Sequence, residues 1–126
     1  MTAVDTALAF QLSLARLAPT TYVATILGEA DLHNEAALRE ALWPLAEVEG
    51  ATVIVDLCCA AFVDSTVLGV LVGLAKRLRS QQGQLVIVSD DPRFQKLLEI
   101  TGLLSVLHLE RSLAKAVESC VGPTAV

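Results

Sequence analysis

Aromatic residues make up only 4% of the 126-residue chain, and charged residues only 18%. Lysine and arginine are particularly scarce, 9 against 14 Asp and Glu, which leaves a formal net charge of -5. Such a chain lacks the basic surplus that generic binding to nucleic acid requires. Long apolar runs are missing too. The longest stretch without Asp, Glu, Lys or Arg is residues 17–28, twelve residues that include Pro19, whereas a membrane-spanning helix needs about 20. The opening MTAVDTALAF has Asp5 where a secretory signal would carry Lys or Arg, so the chain reads as cytoplasmic. Cysteine is limited to Cys58, Cys59 and Cys120, an odd number without the spacing of a zinc knuckle. These read as small buried apolar side chains, with a redox role for Cys58 or Cys59 as the other reading. No G-x-x-x-x-G-K-[ST] or G-x-G-x-x-G loop is present, so the usual residues of nucleotide chemistry are absent.

What the chain has in quantity is apolar residues, 54% of the total. This excludes disorder and predicts one domain over residues 1–126, with a core spanning about 10–120 and a flexible tail at 121–126. A chain of this length can bury about two-thirds of its unfolded surface without metal or disulfide staples. Apolar residues beyond the needs of a core would form a surface that another protein covers.

Residues 10–17 alternate with period two and stop at Ala18-Pro19, and residues 21–27 are rich in β-branched side chains, so the two predict a hairpin. Leu38, Leu42 and Leu45 recur at helical spacing after Asp31 and Asn34, either of which can cap, and Pro44 should end that helix early. Residues 51–57 and 84–89 are continuous apolar runs of the kind buried on both faces of a parallel sheet. A helix follows each run. The first opens at Asp64-Ser65-Thr66 and ends near Lys76, Arg77, Arg79 and Gly83. The second opens at Asp90-Asp91-Pro92. Residues 106–109 predict a short strand and 112–120 a last helix. The order β-β-α-β-α-β-α-β-α defines an α/β fold, a mostly parallel sheet with an N-terminal hairpin and about four helices packed on it.

Chemistry could sit in three places. Asp64-Ser65-Thr66 lies at a helix N-terminus, where free N–H groups and the positive end of the dipole favour an anion, and a phosphate on Ser65 would add about -1.5 to -2 charges there. The same three residues are also what an ordinary capped helix start requires. The helix they open has Val67, Leu68, Val70, Leu71, Val72, Leu74 and Leu78, nearly apolar all round, so either neighbouring helices or a partner must cover its outer side. Gly28-Glu29-Ala30-Asp31 follows the second strand and would lie beside Ser65 if both turns leave the sheet at its carboxyl edge, where ligands collect. Asp31 could then hold the Ser65 hydroxyl, or simply cap a helix. His33 or His108 could in principle complete a hydrolytic set with Ser65 and Asp31 or Asp64, but Val-Asp-Ser-Thr-Val is not the G-x-S-x-G nucleophile elbow.

These residues together resemble the STAS domain family, and within it the bacterial anti-sigma factor antagonists. Gly28-Glu29-Ala30-Asp31 is similar to the family's G-E-x-D turn. Phe62-Val63-Asp64-Ser65-Thr66-Val67-Leu68-Gly69-Val70-Leu71 resembles its phosphorylation loop, an apolar pair followed by D-S-S/T-G-L-G and an apolar helix. Phe94-Gln95-Lys96-Leu97-Leu98-Glu99-Ile100-Thr101-Gly102-Leu103 resembles its third helix with a T/S-G-L ending. The likeness runs from about Leu12 to Val117. It implies a STAS-like domain with no catalytic residue, cofactor or metal. It also implies that the unphosphorylated chain binds an anti-sigma factor that is itself a serine kinase, that this kinase modifies Ser65 to switch the chain off, and that a PP2C-type phosphatase reverses the step. The partner-binding residues would be Glu29, Asp31, Asp64, Ser65, Thr66, Val67, Leu68 and Val70. One departure is Val67, where the family usually has Gly, placing a β-branched side chain where a kinase backbone would approach. That makes Thr66 the alternative acceptor. It also leaves open a second role, a STAS subunit of a transporter ATPase or signalling scaffold that works without phosphorylation.

Overall fold

β1 (Gln11–Ala18) and β2 (Thr21–Ala30) pair antiparallel through the tight turn at Pro19-Thr20, as the alternation of residues 10–17 predicts. The computed structural model describes residues 9–121. β3 (Thr52–Asp56) and β5 (Gln84–Val88) continue the sheet in parallel, and β6 (His108–Glu110) closes it in the order β1-β2-β3-β5-β6. The continuous apolar runs are used on both faces. Val53, Val55, Leu85 and Ile87 point to one side, while Ile54, Val86 and Val88 point to the other.

On the first face lie α1 (Glu35–Leu42), α2 (Ser65–Ser80) and α3 (Pro92–Ile100), which bury Leu38, Leu42, Leu71, Leu74, Leu78 and Leu98 with Ala24 and Ile26 of β2. α4 (Leu113–Val121) covers the second face, setting Ala116, Leu113, Val117 and Cys120 against Val23, Ile54, Val86 and Val88. Pro44 does end α1, because its ring cannot donate a hydrogen bond within a helix; the chain goes on as a 3-10 turn, Trp43–Glu47, with the proline in second place. α2 closes at Gln81 and Gln82, the latter at φ 66. Gly83 then passes so close to the Ala51 backbone that a Cβ would collide with its carbonyl oxygen.

Two expectations change, and one of the two covers left open for α2 is found. An extra strand, β4 (Ala60–Val63), lies in the stretch after β3 and pairs with the end of β2 rather than with β3. The last strand begins at His108, not at residue 106, because Leu103–Ser105 form a 3-10 turn that turns Leu107 into the core. The apolar side of α2 is covered from within: the helix packs on β5, on α1 and on the Trp43–Glu47 turn, so it needs no second protein to bury it. Among the described residues, no helix is long and apolar enough to cross a membrane. The expected tail at 121–126 lies outside the described residues beyond Val121, the last residue of α4.

Candidate functional site

Gly28 is the hinge on which the site is built. It sits at φ 80, a left-handed backbone that glycine adopts without steric cost, and the register of β2 shifts between Gly28 and Glu29. Up to Thr25, β2 pairs with β3; from Gly28 onward it pairs with β4. The bulge thus carries the Glu29–Asp31 turn and the Asp64–Ser65 turn to the same edge, and Asp64 donates its backbone N–H to the Ala30 carbonyl at 3.2 Å.

Asp64 then joins the two turns with its side chain. One carboxylate oxygen accepts from the Val67 N–H at 3.0 Å and so caps α2; the other accepts from the Leu32 N–H at 3.1 Å, across 32 residues. Asp31 has a matching role on its own turn. Its carboxylate accepts from the His33 N–H at 2.9 Å, and its backbone N–H donates to the Asn34 side chain at 3.0 Å, closing a capping box around the Leu32–Asn34 3-10 turn. Both acids hold backbone, and no hydrogen bond joins Asp31 to Ser65 among the described residues.

Ser65 is exposed as the first residue of α2, and its hydroxyl makes no hydrogen bond among the described residues. Thr66 is half-buried, Glu29 is exposed, and Asp31 and Asp64 are half-buried around it. Val67, Leu68 and Val70, expected as partner contacts, are only 0%, 7% and 1% exposed and belong to the core. Their helical positions turn them toward the sheet, so they support the site from beneath and leave its surface to the other five residues. The inward Val67 also corrects the expected obstruction, since its β-branched side chain fills the core rather than the approach to Ser65.

The hydrolytic set is not assembled. His33 is exposed and its Nδ1 lies 3.3 Å from Asp31, while His108 pairs with Glu110 at 2.8 Å on β6. No hydrogen bond links either histidine to Ser65 among the described residues.

Beside the Ser65 turn, β4 and the start of α3 enclose a cleft of about 530 Å³, lined by Ala60, Ala61, Val63, Asp90, Phe94 and Leu97 among others. Its mouth holds an unexpected residue. Cys58 and Cys59 are exposed rather than buried, because the turn between β3 and β4 faces outward; Cys120, on α4, is half-buried against the sheet. Burial, then Asp56 and Asp90 nearby, push the Cys58 thiol up to about 11. A thiol shifted up in this way is mostly protonated near neutral pH and so a weaker nucleophile than an ordinary exposed cysteine. At the head of α3, the Arg93 side chain donates to Asp91 and holds its carboxyl below the usual carboxylate range. Among the described residues, no group of three or more His, Cys, Asp or Glu is placed to hold a metal ion.

The residues that sequence reasoning missed here are Leu32, Ala61 and Leu97. Leu32 is 60% exposed beside the Asp64 carboxylate and lies in none of the quoted motifs, while Leu97 lies in the third-helix motif, which does not say that its side chain lines a cleft.

Known proteins match this architecture closely. An anti-sigma-B factor antagonist of Bacillus subtilis (strain 168) is 39% identical over 84 residues, which is 67% of this chain and 76% of that protein. A solved anti-sigma factor antagonist from Mycobacterium paratuberculosis superposes with a TM-score of 0.77 at 21% identity, covering 94% of this chain and 97% of that one. The Bacillus cell fate determinant SpoIIAA, solved in its phosphorylated form, gives a TM-score of 0.68 at 23% identity, covering 88% and 98%. The family model described as STAS domain matches residues 14–116, and with these residues folded into the mixed sheet and four helices described above, the chain belongs to the STAS domain family.

Proposed function

We propose that this protein is a cytoplasmic anti-sigma factor antagonist switched by phosphorylation. In its unmodified form it binds an anti-sigma factor of the serine-kinase type and so releases a sigma factor. Transfer of the ATP γ-phosphate to the Ser65 hydroxyl by that kinase weakens the complex, and a PP2C-type phosphatase restores it. Thr66 is the secondary acceptor. The chain itself carries out no catalysis.

The observation that carries this reading is the state of Ser65: exposed, uncommitted in hydrogen bonding, and first in a 16-residue helix whose start is clamped by Asp64. The likeness to the anti-sigma-B factor antagonist of Bacillus subtilis supports the choice of partner. The electrostatics are consistent with a switch. A phosphate would gain from the helix dipole and from free N–H groups, so the fold would tolerate it. It would also stand among Glu29, Asp31 and Asp64 on a chain already at -5, and so would change the field of the docking surface without unfolding the helix. The reading of a phosphorylation-independent transporter or scaffold subunit drew on Val67 and on the apolar helix it belongs to; with Val67 in the core and the helix covered by β5, α1 and the Trp43–Glu47 turn, neither ground favours it.

The test is incubation with ATP and the serine-kinase anti-sigma factors of the same genome, followed by mass spectrometry. One phosphate on Ser65 is expected. The absence of both modification and binding with all of these kinases would overturn the reading.

A further inference from the structure

We propose that the cleft between β4 and α3, lined by Leu97 and with Ile100 exposed one turn further along α3, is where the anti-sigma factor seats an apolar side chain flanked by a lysine or arginine. The inference rests on the function proposed above and extends its contact surface beyond the Ser65 turn.

The first ground is apolar exposure. Ile100 is 72% exposed and Leu97 39%, three residues apart and so neighbours on one face of α3; Leu104, in the turn that follows, is 40% exposed. Leu97 also lines the cleft, so the free apolar surface of α3 runs into a concave site whose opposite wall is β4. Single exposed leucines need no explanation, but a row of them leading into a cleft of about 530 Å³ is a shape that a protruding side chain can fill. β4 leads directly into Asp64 and Ser65, which makes the cleft and the switch parts of one surface.

The second ground is charge. Arg93 is bonded to Asp91, and Lys96 lies 3.9 Å from Glu99, so the cations of α3 already have carboxylate neighbours. Asp90 at the rim has no cation partner among the described residues, and neither has Asp56, whose carboxylate accepts from the Cys58 N–H at 3.0 Å. A cleft that pairs the apolar side chains of Ala60, Val63, Phe94 and Leu97 with the uncompensated carboxylate of Asp90 suits an apolar group with a positive one beside it.

The experiment is titration calorimetry of the full chain with the serine-kinase anti-sigma factor it binds, using Ile100→Ser, Ala61→Trp and Asp90→Lys, each at an exposed position. We expect a loss of affinity of tenfold or more for Ile100→Ser and for Ala61→Trp, and a smaller loss for Asp90→Lys that shrinks at high salt. Circular dichroism checks that each variant is folded, and the Ile100→Ser and Asp90→Lys pair decides the matter if the tryptophan is not accommodated. Binding by the unaltered chain that changes less than threefold in the folded variants overturns this inference alone. Absence of binding by the unaltered chain overturns the proposed function and this inference with it. Self-association of the chain without partner, abolished by Ile100→Ser, assigns the face to a second copy and also overturns it.

Discussion

α2 and α3 invert what their compositions suggest. α2 is apolar nearly all round, yet seven of its side chains, from Val67 to Leu78, are buried against the sheet, α1 and the Trp43–Glu47 turn. α3 has charges on several sides and buries only Leu98, yet it leaves Leu97 and Ile100 in solvent. The difference lies in the neighbours. α2 meets β5, α1 and the Trp43–Glu47 turn, whereas among the described residues nothing covers Leu97 and Ile100 on the outer wall of α3. Apolar content therefore locates the core in this molecule, while the position of a helix in its layer decides where free apolar surface is left.

The comparison can be broken most severely in α2. Leu74→Ala, at a fully buried position, should destabilise the fold by about 2–5 kcal/mol, read from denaturant unfolding; a cost below about 1 kcal/mol would mean that α2 is not the central support. Asp64→Ala removes the cap of α2 and the link to Leu32 together. Its expected cost is about 1–2 kcal/mol, with the loss of protection at the Leu32 and Val67 amides checked by hydrogen exchange. In α3, by contrast, Ile100→Ser should leave stability within about 0.5 kcal/mol although it weakens the complex. A large loss of stability there would erase the contrast between the two helices. The smallest effect concerns chemistry rather than folding. With Cys59 and Cys120 replaced by Ser, alkylation of Cys58 should be slow at pH 8 and should rise about tenfold per pH unit until it levels near 11. The sign follows from the upward shift, since the reactive thiolate becomes the major form only above that value. Rapid alkylation at pH 8 would show that Asp56 and Asp90 do not hold the proton.

The elements with strong local patterns were legible in the sequence: the hairpin, the two apolar runs, the caps at Asp31, Asp64 and Asp91, and the break at Pro44. β4 was not, because Cys58-Cys59-Ala60-Ala61 carries no period and its pairing depends on a bulge 30 residues earlier, at Gly28. The site was legible to the same extent. Its residue types and the meeting of the two turns could be anticipated, since both leave the carboxyl edge of the sheet. The bond that joins them could not: Asp64 to the Leu32 N–H is a long-range contact with no spacing to announce it. Val67, Leu68 and Val70 lay on the right helix but on its buried side, a distinction that needs to know what covers α2. The exposed cysteines went unseen for a related reason, as small apolar residues give no sign of which way a turn faces.

The most direct test of the switch is the affinity of one preparation for its anti-sigma factor before and after complete phosphorylation at Ser65, measured by titration calorimetry at fixed ionic strength. A weakening of tenfold or more, about 1.4 kcal/mol, with the fold unchanged by circular dichroism, is the predicted result; equal affinity of the two forms would contradict it.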